Sequence, residues 1–216
     1  MPIPPHEQLQ AVVRGLTTVE RDGHQARRLT AERAYPAAIE EVWDALTSPE
    51  RVPRWMGGAV TGDLSLGGRY QIEGNAGGEV LACEPPTTLA LTWEYGGEVS
   101  WVDATLTSEA EQTRLLLVHT AAVPQEFWDQ FGPGAVGIGW EMMLWGLHEH
   151  LTSPDMPRAE LDAWLASPEG HAYHVEVMTG SNAAWAEASI ADGTDPGAAR
   201  EAADRCLAAY TAEPEG

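Results

Sequence analysis

The chain has 216 residues, 44% of them hydrophobic, which suits one globular core plus an extension and excludes a disordered polymer. Its 12 basic residues, every one an arginine, stand against 33 acidic ones for a net charge of -21. Like-charge repulsion of that size excludes nucleic acid and anionic membrane surfaces as natural partners.

The first residues, Met1-Pro2-Ile3-Pro4-Pro5-His6, show no basic and apolar leader pattern, and no run approaches the roughly 18 apolar residues of a membrane span. A soluble, cytoplasmic protein without membrane attachment is expected. Residues 1–24 are polar, with only a weak helical pattern at Leu9, Val12, Val13 and Leu16, and read as an N-terminal arm. Gln25 to Tyr35 reads as a first strand. Pro36 then opens a helix through Thr47, with Ile39, Val42, Trp43 and Leu46 on one face. Ser48-Pro49-Glu50 suggests the cap of a second short helix carrying Val52 and Trp55.

From Gly57 the hydrophobic period changes to two. Strands are expected near 58–64, 68–74, 79–84, 88–95, 98–107 and 113–121, separated by Gly, Asn and Pro turns. A two-residue Gly96-Gly97 turn pairs Tyr95 with Glu98, Trp93 with Ser100, Leu91 with Val102 and Leu89 with Ala104. Leu89, Leu91, Trp93, Val102, Ala104 and Leu106 then face inward. On the last strand His119 shares a face with Leu115 and Leu117. Val123 to Gly132 fits a short helix behind Pro124, and Gly132, Gly134, Gly137 and Gly139 read as a flexible link.

The segment Gly139 to Leu151 is a long helix whose Trp140, Leu144, Leu147 and Leu151 recur at i, i+4, i+7 and i+11, a stripe that needs a sheet beneath it. Met142 and Trp145 lie outside the stripe. They require a second neighbour, either the following residues or a second copy of the chain in a homodimer. Beyond Ser153, Ala-rich helical patterns start near Arg158, Pro168 and Pro196, broken by Gly170 and Gly193-Thr194-Asp195. The organisation expected is an arm at 1–24, a ligand-binding domain at 25–153 and a helical extension at 154–216. The fold class is α+β, a curved antiparallel sheet wrapped around a long helix.

Several motifs in this order resemble the bacterial homologues of the activator of the 90-kDa heat-shock protein ATPase, in the START-like (SRPBCC) superfamily. They are Pro36 to Thr47 with Trp55, Leu66-Gly67-Gly68-Arg69-Tyr70, Val80 to Pro86, Leu89 to Trp93, Thr113 to His119, and Gly139-Trp140 with Leu144, Leu147 and Leu151. The resemblance implies a helix-grip fold with an apolar cavity under the long helix, and ligands of the lipid, steroid or polyketide kind. It implies no universal catalytic set. The chaperone-docking domain of the eukaryotic co-chaperone has no counterpart.

The expected cavity lining is Trp43, Tyr70, Leu91, Trp93, Val102, Leu117, His119, Trp140, Met143 and Leu144, with Phe127, Trp128 and Phe131 as a swinging gate hinged on the glycines. His119 is the polar group to watch, as a ligand contact or an acid or base, against the plainer reading of a hydrogen-bonded core histidine. His148, His150, His171 and His174 lack metal-ligand spacing, and the glycine pairs lack the context of a phosphate loop. Cys83 and Cys206 read as small buried hydrophobes. No metal or cofactor is expected, and the partner expected is a small apolar or amphipathic molecule. The alternatives are an enzyme on the same fold, cyclase- or hydrolase-like, and a chaperone cofactor or protein-interaction module.

Overall fold

The computed structural model describes residues 3–212. A short helix α1 (Pro5–Gln10) precedes strands β1 (Val13–Arg21) and β2 (His24–Tyr35), helices α2 (Ile39–Thr47) and α3 (Val52–Met56), and strands β3 (Val60–Gly62) and β4 (Arg69–Ile72). Strands β5 (Gly77–Glu84), β6 (Thr88–Tyr95), β7 (Glu98–Glu109) and β8 (Gln112–Ala121) follow. The chain then runs through α4 (Gln125–Phe131), the long α5 (Gly134–Thr152), α6 (Arg158–Leu165), α7 (Pro168–Ala191) and α8 (Pro196–Thr211).

All eight strands form one antiparallel sheet in the order β1-β2-β8-β7-β6-β5-β4-β3, which grips α5 in the helix-grip arrangement. The β6–β7 register is the one the Gly96-Gly97 turn demands: Trp93 opposes Ser100, Leu91 opposes Val102 and Leu89 opposes Ala104. Both turn glycines have positive φ, as a two-residue hairpin needs. Trp140, Leu144 and Leu147 are buried against the sheet. The Tyr35 hydroxyl donates to the Leu144 carbonyl across the sheet–helix interface at 3.2 Å.

Five sequence expectations change. Residues 1–24 are not a loose arm, because Val13–Arg21 pairs along its length with β2 and buries Leu16, while Gln8 of α1 is fully buried and accepts from Arg33 at 2.7 Å. The strand escapes the periodicity test because it lies at the sheet edge and leaves residues such as Val13 exposed. Helix α2 starts at Ile39 rather than Pro36, and α3 at Val52 rather than after a Ser48 cap, since residues 49–51 form a turn. Gly134, Gly137 and Gly139 are no flexible link: they lie inside α5, where a Cβ at Gly137 would run into the Trp185 ring of α7. Gly170 likewise sits within the first turn of α7, where its missing side chain admits the backbone of Trp164.

The extension supplies the second neighbour of α5. Trp145 is 4% exposed within the single chain, its ring 5.7 Å from Tyr173 and 6.5 Å from Trp164, so no second copy is needed to cover it. Ile138, Met178 and Cys206 form a separate small core with Met142 and Phe131 at its edge. A buried bidentate pair fastens β1 to the same helix: Arg14 donates through Nε and Nη2 to the two Glu141 carboxylate oxygens, each at 2.6 Å. Trp101, on the outer sheet face, lies under the Arg21 guanidinium at 3.8 Å.

Candidate functional site

Two apolar clusters meet under α5. The larger joins β2, β7 and β8 to α2 and α5, and contains Val102, Leu117, Trp140 and Leu144. The smaller, at the β4–β6 side, contains Tyr70, Leu89 and Leu91. Trp43, Met56, Val60, Trp93 and Ala104 pack against both and mark the seam between them. These seam side chains face the interior yet are only half-buried, whereas Leu89 and Leu91, earlier on the same face of β6, are buried. Apolar surface thus stays accessible where the alternation of the strand directs it inward.

The walls of the seam are aromatic. Trp93 and Trp140 meet with ring centres 5.0 Å apart, and the His119 ring lies edge-on to Trp140 at 5.6 Å. Met143 is half-buried beside the main cluster. The structure therefore brings together Trp43, Trp93, Val102, Leu117, His119, Trp140, Met143 and Leu144. Tyr70 and Leu91 belong to the neighbouring cluster, where the Tyr70 hydroxyl donates to the Thr92 carbonyl at 2.7 Å.

His119 is the one imidazole on this surface, and the β7–β8 register sets its polar partner. His119 opposes Val102, so Ser100 lies two residues further along the same face of β7. The Ser100 Oγ is 2.8 Å from His119 Nε2 and 3.1 Å from the Trp93 carbonyl, with one proton to share between them. His119 Nδ1 is buried without a hydrogen-bond partner. Burial pushes the imidazole pKa down to about 4, so the ring is neutral near pH 7. Sequence periodicity places His119 on the face but not its serine, because the pairing depends on the β7–β8 register.

Phe127, Trp128 and Phe131 lie on α4, which packs against α8 of the extension. Arg205 of α8 donates to the Gln130 and Asp129 carbonyls at 2.9 and 3.0 Å, tying down the C-terminal turn of α4. Trp128 is buried, with the Arg27 guanidinium 4.6 Å above its ring, and Phe131 packs toward the extension core. Phe127 is exposed and stacks on Phe131 at 5.1 Å. Of the hinge glycines, Gly134, Gly137 and Gly139 are helical, and Gly132 caps α4 with φ 60°.

Clefts open away from the seam. One of about 330 Å³ lies at the β3–β5 end, lined by Arg69, Tyr70, Gln71 and Glu94. Another of about 260 Å³ lies between α3, α5, α6 and α7, lined by Met56, Met142, Met143, Arg158 and His174. Among the described residues no three His, Cys, Asp or Glu side chains converge as a metal site would require, and no helix is long and apolar enough to cross a membrane.

An antiparallel sheet gripping a long helix, with an aromatic seam between the two, is a START-like helix-grip domain. The chain belongs to the family of Activator of Hsp90 ATPase homolog 1-like proteins, whose model matches residues 36–152. It is similar to CalU16 from Micromonospora echinospora, whose crystal structure is 33% identical, superposes with a TM-score of 0.64 and covers 83% of this chain and 98% of that one. Residues 1–153 are only 153 of the 216, so this match includes part of the helical extension. Protein MLL2253 from Mesorhizobium loti is 26% identical with a TM-score of 0.52, over 60% of this chain and all of its own (100%). DynU16, from the dynemicin biosynthetic locus, is 25% identical with a TM-score of 0.52, over 61% of this chain and 49% of that one. No protein of curated function matches the chain.

Proposed function

We propose that the protein binds a small apolar or amphipathic molecule in the seam between α5 and the sheet. The observation that carries this reading is the accessible surface retained by the inward-facing Trp43 and Trp93 beside Trp140. Large aromatic rings left half-buried in a core cost apolar burial that a ligand would recover, at about 25 cal/mol per Å². A ligand enters by parting Trp93 from Trp140, so both indoles report on it. The likeness to a protein of a natural-product locus fits a hydrophobic metabolite as the occupant.

The test is titration with Nile red, a neutral apolar dye that the acidic surface does not repel, monitored through tryptophan emission and native mass spectrometry. Saturable one-to-one binding that is lost in Trp93→Ala is expected. Binding that does not saturate, or that Trp93→Ala leaves unchanged, removes the seam as the site.

A further inference from the structure

We infer that the seam selects ligands carrying a hydroxyl donor on an apolar body, and that His119 Nδ1 is the atom that accepts it. This rests on the reading of the seam as a binding site and adds the chemistry of the ligand's polar group.

The argument starts from the proton inventory. In the inferred arrangement the Trp93 carbonyl takes the single Ser100 proton, and Ser100 Oγ accepts from His119. This serine relay fixes the ring as the Nε2–H tautomer. The opposite nitrogen is left as a lone-pair acceptor on a side chain that is only 7% exposed, with no partner in the protein. A buried acceptor without a donor keeps its full desolvation cost, so a molecule that supplies the missing hydrogen gains more than one meeting a satisfied wall.

The surroundings restrict what can supply it. The Trp140 ring and the neighbouring Val102, across the β7–β8 ladder, offer mainly apolar contact and no hydrogen-bond acceptor. An ammonium could donate to the same lone pair but would lose its hydration in an apolar seam, with no carboxylate paired to His119 among the described ion pairs. A carboxylate would meet a lone pair instead of a proton. A neutral hydroxyl next to a hydrophobic body matches both the acceptor and the walls.

Two probes of nearly equal shape separate the terms. 2-Naphthol carries the donor; 2-methoxynaphthalene replaces it with a methyl ether. The wild-type protein should bind the naphthol about tenfold more tightly, as one recovered hydrogen bond predicts. His119→Phe should bind the two equally. In histidine-labelled wild-type protein, the ¹⁵N resonance of His119 Nδ1 should report a bare nitrogen before titration and move on addition of the naphthol but not of the ether. That measurement does not depend on whether His119→Phe folds.

Equal affinity for the two probes, or an Nδ1 that is already protonated in the free protein, overturns the inference while leaving an apolar seam. Binding of neither probe overturns the seam itself and the inference with it.

Discussion

The two faces of α5 are packed by different rules. Toward α7 and α8 the helix presents Gly134 and Gly137, and its neighbours close onto the backbone: the Trp185 ring lies where a Gly137 side chain would be, and Trp185 is 1% exposed. Toward the sheet the same helix presents Trp140, which meets Trp93 and His119 ring against ring and leaves Trp93 half-buried. Small residues on one side give contact without space, and large rings on the other give contact with residual accessible surface. A helix clamped rigidly from behind can hold a yielding surface in front. The difference teaches that the extension stabilises the seam without lining it.

The strongest challenge to this contrast is to remove the clamp. Truncation after Ser153 uncovers Ile138 and Trp145, and each large apolar side chain returned to water costs on the order of 2 kcal/mol. Loss of most of the thermal stability and a gain in hydrophobic-dye binding are expected in a melt. A truncated chain with an unchanged melt and no dye binding would show that the rear face needs no cover. Next in size is a pair of matched substitutions. Trp185→Ala, in the tight face, should destabilise by about 3–5 kcal/mol in urea titration. Trp93→Ala, in the seam, should cost clearly less stability while abolishing Nile red binding. Equal losses for the two tryptophans would erase the distinction between the faces.

Arg14→Ala should be felt nearly as strongly as Trp185→Ala, by roughly 3 kcal/mol, because Glu141 is 1% exposed and would keep a buried charge without its partner. The double variant Arg14→Ala, Glu141→Leu should recover much of that loss in the same titration.

The smallest effect is on pH dependence. His119 and His148 are both pushed down to about 4, mainly by burial, while an unfolded histidine titrates near 6.5. Between those values the unfolded chain binds more protons than the folded one. The contribution is therefore complete above about pH 6.5 and is lost as pH falls toward 4. Melting temperatures should decline across that window, and His119→Phe should flatten the slope.

Much of this architecture is legible from residue order. The Gly96-Gly97 turn fixes which residues of β6 and β7 oppose each other, and the Trp140, Leu144, Leu147 stripe identifies the face of α5 that meets the sheet. What escapes has a physical cause in each case. Strand β1 lies at an edge and lacks strong alternation, so only its pairing with β2 reveals it. Gly134, Gly137 and Gly139 look like a hinge by composition, and only the approach of α7 and α8 explains them as helix. At the site, strand periodicity puts His119 among leucines, but the Ser100 contact needs the β7–β8 register.

The position of α1 bears on how the molecule comes into being. Leu9 occupies the space that a side chain at Gly180 would take, and Gln8 buries itself against Arg33. Helix α1 therefore cannot find its final resting place until a segment some 170 residues later has been made. Contacts between parts so distant in the chain close slowly and late. The flank formed by α1 is completed with the arrival of α7 rather than with closure of the sheet.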